Sequence, residues 1–339
     1  MKLLTIETTC DETAAAIVSD ELVVLSSVVA SQDALHRRFS GVVPEIAARA
    51  HVERILPTID EALRRANIKL EEVDAIAVAN TPGLAGSLLV GVVAAKALAA
   101  ATGKPLVAVN HLQAHIYACR MAAGIDVFPC VGLVVSGGHT SLYRCLGPID
   151  FFHLGGTIDD AAGEAFDKVA AMLGLGYPGG PAVSKAAQSG NPKAHRFPRA
   201  LANEKRIAFS FSGLKTAVRY AISGPGKPMP EPGHLSQQQI ADLAASFQEA
   251  AIDVLVLKSL AALRETRLAR LCVGGGVAAN RLLRERLAKA AEQHLFELHI
   301  APPELCTDNA VMGAIAFERL KAGRIEDLTL DAIPGLIRD

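Results

Sequence analysis

Short β-prone runs alternate with segments of helical period along this chain, and after Pro129 the alternation starts again. Residues 2–6, 14–19 and 22–30 are separated by the polar turn T-T-C-D-E-T and by an acidic turn, so they read as meandering strands. Residues 44–66 follow helical spacing through Ile46, Ala47, Ala50, Ile55, Ile59 and Leu63, with a kink expected at Pro57. Strand 73–79, helix 87–101, strand 106–109 and helix 111–122 continue a pattern that implies a largely parallel sheet. Residues 3–18 are echoed by 132–146, which suggests a duplicated domain. Later, 235–263 reads as a long helix, 271–273 as a strand and 308–322 as a last helix, while the Pro-, Gly- and Ser-punctuated segment 185–227 reads as an insertion or lid.

The chain has 339 residues, enough for roughly two domains. Half of them are hydrophobic and 20% are charged, which excludes a disordered chain. The 34 basic and 35 acidic side chains nearly cancel, so a nucleic-acid partner must be held by a local patch. Six cysteines without a C-x-x-C pair argue against a disulfide framework or a structural zinc site, and fit a reducing cytoplasm. Thr5, Glu7, Asp11 and Glu12 interrupt any signal-like apolar run. Residues 88–101 fall short of the roughly 20 apolar residues of a membrane span and read as a buried helix.

In H-L-Q-A-H, His111 and His115 stand at i and i+4, which aims both imidazoles from one helix face at a single divalent ion. Leu112 occupies the place of the zinc-peptidase glutamate, so the peptidase reading lacks its base. Asp308 in C-T-D-N-A is either a third ligand or the N-cap of the last helix. Neutral imidazole is the ligand form, so occupancy is expected to fall below about pH 6.5.

Three glycine turns follow strands: Gly137 and Gly138, Gly179 and Gly180, and Gly274 to Gly276. None fits a P-loop or a dinucleotide fingerprint, yet together they suit a nucleotide cleft between two domains. Asp160, Glu164 and Asp167 fall on one helical face beside Lys168, either as a solvated acidic face or as acceptors for ribose hydroxyls or a substrate amine. Segment 185–227 holds nine Lys or Arg against the single acid Glu204, a local excess suited to a polyanion such as tRNA.

The motifs I-E-T-T-C-D-E-T, N-H-L-Q-A-H, V-S-G-G-H-T, D-D-A-A-G-E-A-F-D-K, Y-P-G-G-P, F-S-F-S-G-L-K-T, G-G-G-V-A-A-N and C-T-D-N-A run from residue 6 to 310. In that order they resemble the tRNA threonylcarbamoyladenosine transferase family of the TsaD type, once named glycoproteases for the histidine pair. The resemblance implies an α/β fold of two similar actin-like domains, as in ribonuclease H, Hsp70 and sugar kinases, with a ligand cleft between them. They would span 1–128 plus 308–339, and 129–307 with a basic insertion at about 185–227. It implies that His111, His115 and Asp308 hold one divalent ion, iron(II) or zinc. Val134, Val135, Ser136, Gly137, Gly138, His139, Asp167, Gly180 and Asn280 then match nucleotide and substrate contacts. Ser184 stands where many relatives have an acid touching ribose.

The implied reaction moves a threonylcarbamoyl group from threonylcarbamoyl-AMP to N6 of the adenosine 3′ to the anticodon, in tRNAs reading codons that begin with A. Asp11 and Glu12 are candidates to accept the N6 proton. The resemblance further implies a paralogous actin-fold dimer partner, a small P-loop ATPase, a cytoplasmic setting and no membrane. Rival readings are a kinase of the same fold, another metal-dependent carbamoyltransferase and a non-catalytic scaffold. Glu7-Thr8-Thr9-Cys10 lacks the D-x-G-T of the kinase phosphate loop, and a scaffold has no need of His111 and His115.

Overall fold

Every residue of β1 (Lys2–Glu7) after Lys2 is buried, as a strand covered on both faces requires. The computed structural model describes residues 1–39, 41–230 and 233–335 and divides into two compact units. Unit 1 comprises Met1–Asp126, Gly147–Phe151 and Thr307–Asp339, and unit 2 comprises Val127–Leu146 and Phe152–Cys306.

In unit 1, β1 is followed by β2 (Glu12–Ser19), β3 (Val24–Ser31), the short helix α1 (Asp33–His36), α2 (Pro44–Arg65), β4 (Ala75–Thr81), α3 (Ala85–Thr102), β5 (Leu106–Asn110) and α4 (His111–Ala123). The sheet order is β3-β2-β1-β4-β5, antiparallel over the first three strands and parallel across β1, β4 and β5. β3 starts two residues later than the sequence predicts, because Leu22 takes φ 61° in a turn closed by Ser19 N–H donating to Val23 O at 2.9 Å. Helix α2 runs through Pro57. Its Ile55, Ile59 and Ala62 pack with Val92, Ala95 and Ala99 of α3 against Leu4, Ile6, Ala15 and Ile17 of the sheet. Each large side chain so buried contributes about 1.5–3 kcal/mol.

Unit 2 repeats the plan with β6 (Cys130–Val135), β7 (Thr140–Gly147), β8 (Asp150–Gly156), α5 (Ala162–Met172), α6 (Gly179–Ala186), α7 (Ser212–Ser223), α8 (Gln237–Thr266), β9 (Arg270–Gly274), α9 (Arg281–His294), β10 (Glu297–Ile300) and α10 (Pro303–Cys306). Its sheet order, β10-β9-β6-β7-β8, is the order of the first sheet read from the other edge. In both, the fourth strand lies parallel beside the first and the fifth lies outside it. The echo between 3–18 and 132–146 therefore falls on equivalent hairpins, β1–β2 and β6–β7. The chain re-enters unit 1 with the tight 3-10 turn Val311–Ile315 and α11 (Ala316–Lys321).

Four local expectations are corrected. The last helix begins at Ala316 rather than at 308, being preceded by the 3-10 turn over 311–315, where Gly313 lies so close to β1 that a Cβ there would stand 3.0 Å from the Thr5 Cβ. Asp308 is accordingly no helix cap, and Asn309 Oδ1 accepts the Met312 N–H instead, at 3.3 Å. Segment 185–227 is no detached lid. Asn191 N–H donates to Asp242 at 2.7 Å, Arg199 pairs with Asp253 at 2.8 Å, and the amine of Lys258, 1% exposed, donates to the carbonyls of Glu204 and Arg206 at 2.8 and 2.9 Å. All of these anchors lie on α8. Helix 88–101, read as buried, is α3, whose outward face of Ala85, Leu89, Val93 and Ala97 is exposed.

Candidate metal centre and glycine turns

Both groups of candidate residues sit where parallel strands end, the place α/β sheets leave open for ligands. β5 passes into α4 with no loop, because Asn110 Oδ1 accepts the N–H groups of Leu112 and Gln113 at 3.0 and 3.2 Å. That cap makes His111 the first helical residue and sets His115 one turn on, with ring centroids 4.6 Å apart. Asp308 joins them. Its Oδ1 lies 3.5 Å from His111 Nε2 and 3.3 Å from His115 Nε2, and the three ligand atoms lie within 4.8 Å of one another.

Glu7, at the end of β1, orients the pair. Its Oε2 lies 3.0 Å from His111 Nδ1, and its Oε1 accepts the Thr9 N–H at 2.7 Å. With the Nδ1 proton directed at Glu7, Nε2 is turned toward Asp308, the carboxylate–histidine arrangement that supports a metal ligand. Burial works against a charged His111, yet the Glu7 and Asp308 carboxylates outweigh it and raise its pKa to about 9. His115 moves the other way, lowered by burial and by the neighbouring His111 charge. Neither nitrogen of wholly buried His115 makes a hydrogen bond. An orphaned buried polar atom costs about 1–3 kcal/mol. A cation relieves it, and ligands held about 2.1 Å from a tetrahedral ion stand about 3.4 Å apart, close to the two His–Asp spacings. The donor set fits a divalent ion.

The turn after β1 is tied from several sides. Thr8 Oγ1 donates to Ser87 O at 2.9 Å, His51 Nε2 and Ser87 Oγ both reach Cys10 O, at 3.0 and 3.1 Å, and Thr13 Oγ1 holds His51 Nδ1 at 2.8 Å. Gly91 is required here, since a Cβ would lie 2.3 Å from Thr8 Oγ1. Burial raises the pKa of Asp11, and burial pushes Glu12 up to about 8 despite the hydroxyl that Ser31 donates at 3.0 Å. Glu12 proves to be the first residue of β2 rather than part of the turn.

In unit 2 the β6–β7 turn is closed by Ser136 N–H donating to His139 O at 2.8 Å and by His139 N–H donating to Ser136 Oγ at 3.2 Å. Val134 and Val135 are buried in β6 below it. The first amides of α5 dock on its back, Gly163 N to Ser136 O at 3.2 Å and Glu164 N to Gly137 O at 3.0 Å. Gly137 and Gly138 are exposed, and a Cβ on either would meet nothing within 4 Å. A Cβ on half-buried Gly180 or exposed Gly276 would likewise meet nothing within 4 Å, and none of the four has positive φ. Gly275 differs, with φ +95° and a Cβ position 2.4 Å from Val135 O. Packing thus explains Gly275, whereas the other four leave open surface that a ligand's close approach would use.

Asp167 Oδ1 accepts the Gly179 N–H at 2.7 Å. Asn280 caps α9 by accepting the Leu283 N–H at 3.1 Å, while its Nδ2 donates to Gln248 at 2.8 Å. Ser184 lines an open pocket with Gln188, Gln248, Glu249, Arg281 and Glu285. The acidic face predicted over 160–167 is instead an ionic hub, because α5 starts only at Ala162. Asp160 accepts from Lys168 and Lys215 at 2.8 and 2.7 Å, and Lys168 also meets Glu164 at 2.7 Å. Lys215 belongs to the basic segment. With Arg199 and Arg206 also paired to acids, six of its nine cations make no ion pair among the described residues: Lys185, Lys193, Arg196, Lys205, Arg219 and Lys227, all exposed. Sequence reasoning missed Glu7 and His51 as partners of the site; the available signal was an acid ending an otherwise apolar strand.

The fold is that of the actin-like proteins. Solved structures similar to this chain include full-length HypF in a phosphate- and nucleotide-bound form, at TM-score 0.63 and 14% identity over 96% of this chain and 47% of that one. The Thermus thermophilus ROK hexokinase matches at TM-score 0.50 and 18% identity, over 95% and 100%. The model of the TsaD family, tRNA N6-adenosine threonylcarbamoyltransferase, matches residues 23–315. Relatives carrying that name include one from Rhodopirellula baltica, 57% identical over 99% of this chain and 97% of its own length. Another, from Symbiobacterium thermophilum, is 53% identical over 98% and 96%. The chain belongs to this family of tRNA-modifying transferases.

Proposed function

We propose that the chain transfers a threonylcarbamoyl group from threonylcarbamoyl-AMP to N6 of adenosine 37, 3′ to the anticodon, in tRNAs whose codons begin with A. The observation that carries this reading is the triad of buried His111 and His115 with half-buried Asp308, in a chain of this family. These residues hold one divalent ion, iron(II) or zinc, which when bound supplies Lewis-acid polarisation of the carbamoyl carbonyl. The donor is an activated anhydride, so the protein's tasks are positioning and charge stabilisation. N6 attacks the carbamoyl carbon, the bond to the phosphate oxygen breaks, and AMP leaves with the electron pair. Glu12, pushed to about 8, is largely protonated at neutral pH, so the proton lost by N6 is assigned to Asp11.

The adenylate is assigned to the Ser136, Gly137, Gly138 and His139 turn, with Val134, Val135, Asp167, Gly180 and Asn280 around it. The open glycines favour phosphate at the turn. Asn280 and Asp167 are already engaged within the chain, so they contribute by holding the α9 and α6 termini in place. The unpaired cations of 185–227 are assigned to tRNA phosphates.

α3 is apolar and long enough to cross a membrane, yet its buried face packs on a protein core. Its outward Leu89 and Val93, 49% and 54% exposed, together with Val52 and Leu56 of α2, 64% and 63% exposed, suit a protein partner. We assign that face to the paralogous dimer partner, with a P-loop ATPase of the same pathway acting alongside and the cytoplasm as the setting. The test is mass spectrometry of nucleosides from tRNA incubated with threonylcarbamoyl-AMP and this protein, with and without such a partner and ATPase. Threonylcarbamoyladenosine is expected, and its absence from the complete mixture refutes the reading.

A further inference from the structure

Three of the six cysteines fall in one row across the unit 2 sheet. Cys145 on β7 stands directly opposite Cys130 on β6, and Cys272 on β9 stands opposite Gly132 of β6, two residues along from Cys130. Alternate residues of a strand share a face, so Cys130, Gly132, Cys145 and Cys272 all project to the same side. Gly132 has no side chain to fill the place beside Cys272, and the Cys272 thiol reaches toward Cys130. The Cys130 sulfur is hydrogen-bonded to both neighbouring thiols, and all three residues are wholly buried. His299 stands opposite Cys272 on β10, and Arg270 lies two residues before Cys272. The Cys145 and Cys272 thiols, helped by the Arg270 guanidinium, favour the Cys130 thiolate against the opposing effect of burial.

We propose that Cys130 and Cys145 form a peroxide-sensitive thiol pair that closes reversibly into a cross-strand disulfide at the base of the β6–β7 hairpin. Geometry selects the pair. Directly opposed strand residues have Cα atoms about 4.5–5.5 Å apart, inside the disulfide range, whereas diagonal neighbours stand about 7–8 Å apart, outside it. Cys272 is diagonal to Cys130 and serves as a hydrogen-bond donor, not as the bonded partner. In the first step the Cys130 thiolate attacks a peroxide oxygen, the O–O bond breaks, and a sulfenic acid and an alcohol or water result. The Cys145 thiol then displaces water from the sulfenic sulfur. The net change is two thiols oxidised by two electrons, with one peroxide reduced. The other end of this hairpin is the Ser136 to His139 turn, so the bond would brace the strands that carry that turn.

The test exposes the full native chain to hydrogen peroxide, alkylates the remaining thiols and maps peptides by mass spectrometry without reduction. A peptide linking Cys130 to Cys145 is expected, with both of these thiols lost to alkylation and both recovered on adding dithiothreitol. In Cys145→Ala, dimedone should trap a sulfenic acid on Cys130. In Cys272→Ala the link should still form, more slowly. Circular dichroism of each variant verifies that it is folded. The proposal is overturned if Cys130 and Cys145 stay alkylatable once half-buried Cys10 is oxidised, or if Cys130 is linked to any cysteine other than Cys145.

Discussion

Glu7→Gln should change how protons compete with metal at His111. In the wild type, Glu7 and Asp308 hold His111 protonated up to about pH 9, and an ion on Nε2 must displace that proton. The sign follows directly: the protonated form dominates below about 9, so apparent affinity falls tenfold per pH unit lowered from there. At pH 7 the penalty is on the order of a hundredfold in dissociation constant. Neutral imidazole with the ordinary value of about 6.5 would show almost no penalty at pH 7. The glutamine removes the nearer charge, so the break should move down toward the ordinary value. It also weakens the support of the ligand, at a typical cost of about 10–100-fold in affinity. The two effects oppose each other. The variant should bind zinc about 10–100-fold more weakly near pH 9 but close to wild type near pH 7. Competition titrations against a chelator of known zinc affinity, run from about pH 6 to about 9.5, measure both curves. Parallel curves with the same break would refute the orienting role of Glu7.

Gly137→Val puts a branched side chain on an open turn that packing leaves unfilled, so it should abolish AMP binding by calorimetry while metal content stays at the wild-type level. Wild-type AMP affinity would remove the turn from the site. Arg196→Ala should reduce the slope of log affinity for tRNA against log salt by about one, and an unchanged slope across the six unpaired cations would place the tRNA elsewhere. Lys258→Met removes the one amine that donates to both the Glu204 and Arg206 carbonyls, and should cost about 2–4 kcal/mol in urea unfolding, with 191–206 becoming protease-sensitive. A loss below about 0.5 kcal/mol, the range of ordinary surface changes, would show that α8 does not anchor the segment.

The α/β alternation was legible because strands such as β1 and β4 are buried on both faces and so are written as unbroken apolar runs. The duplication was legible only at the two hairpins, since the matching sheet orders rest on pairings far apart in sequence. His111 and His115 were legible because their relation is local, one helical turn. Glu7 was not, because its partner lies 104 residues away and nothing local marks an acid as an orienting group. Charge counting overstated the basic segment for the same reason: Lys215 and Arg199 answer Asp160 and Asp253, which lie 55 and 54 residues away. Asp308 looked like a helix cap because C-T-D-N-A reads as one. The backbone instead winds as a 3-10 turn over 311–315, and the helix starts at Ala316.

Metal content at His111, His115 and Asp308 is the direct test of the proposed site. Elemental analysis of the purified chain and of the His111→Ala, His115→Ala double mutant, each with its folding verified by circular dichroism, compares the two. One divalent ion per chain in the wild type and none in the double mutant is the predicted result; equal metal content in both would contradict the assignment of His111, His115 and Asp308.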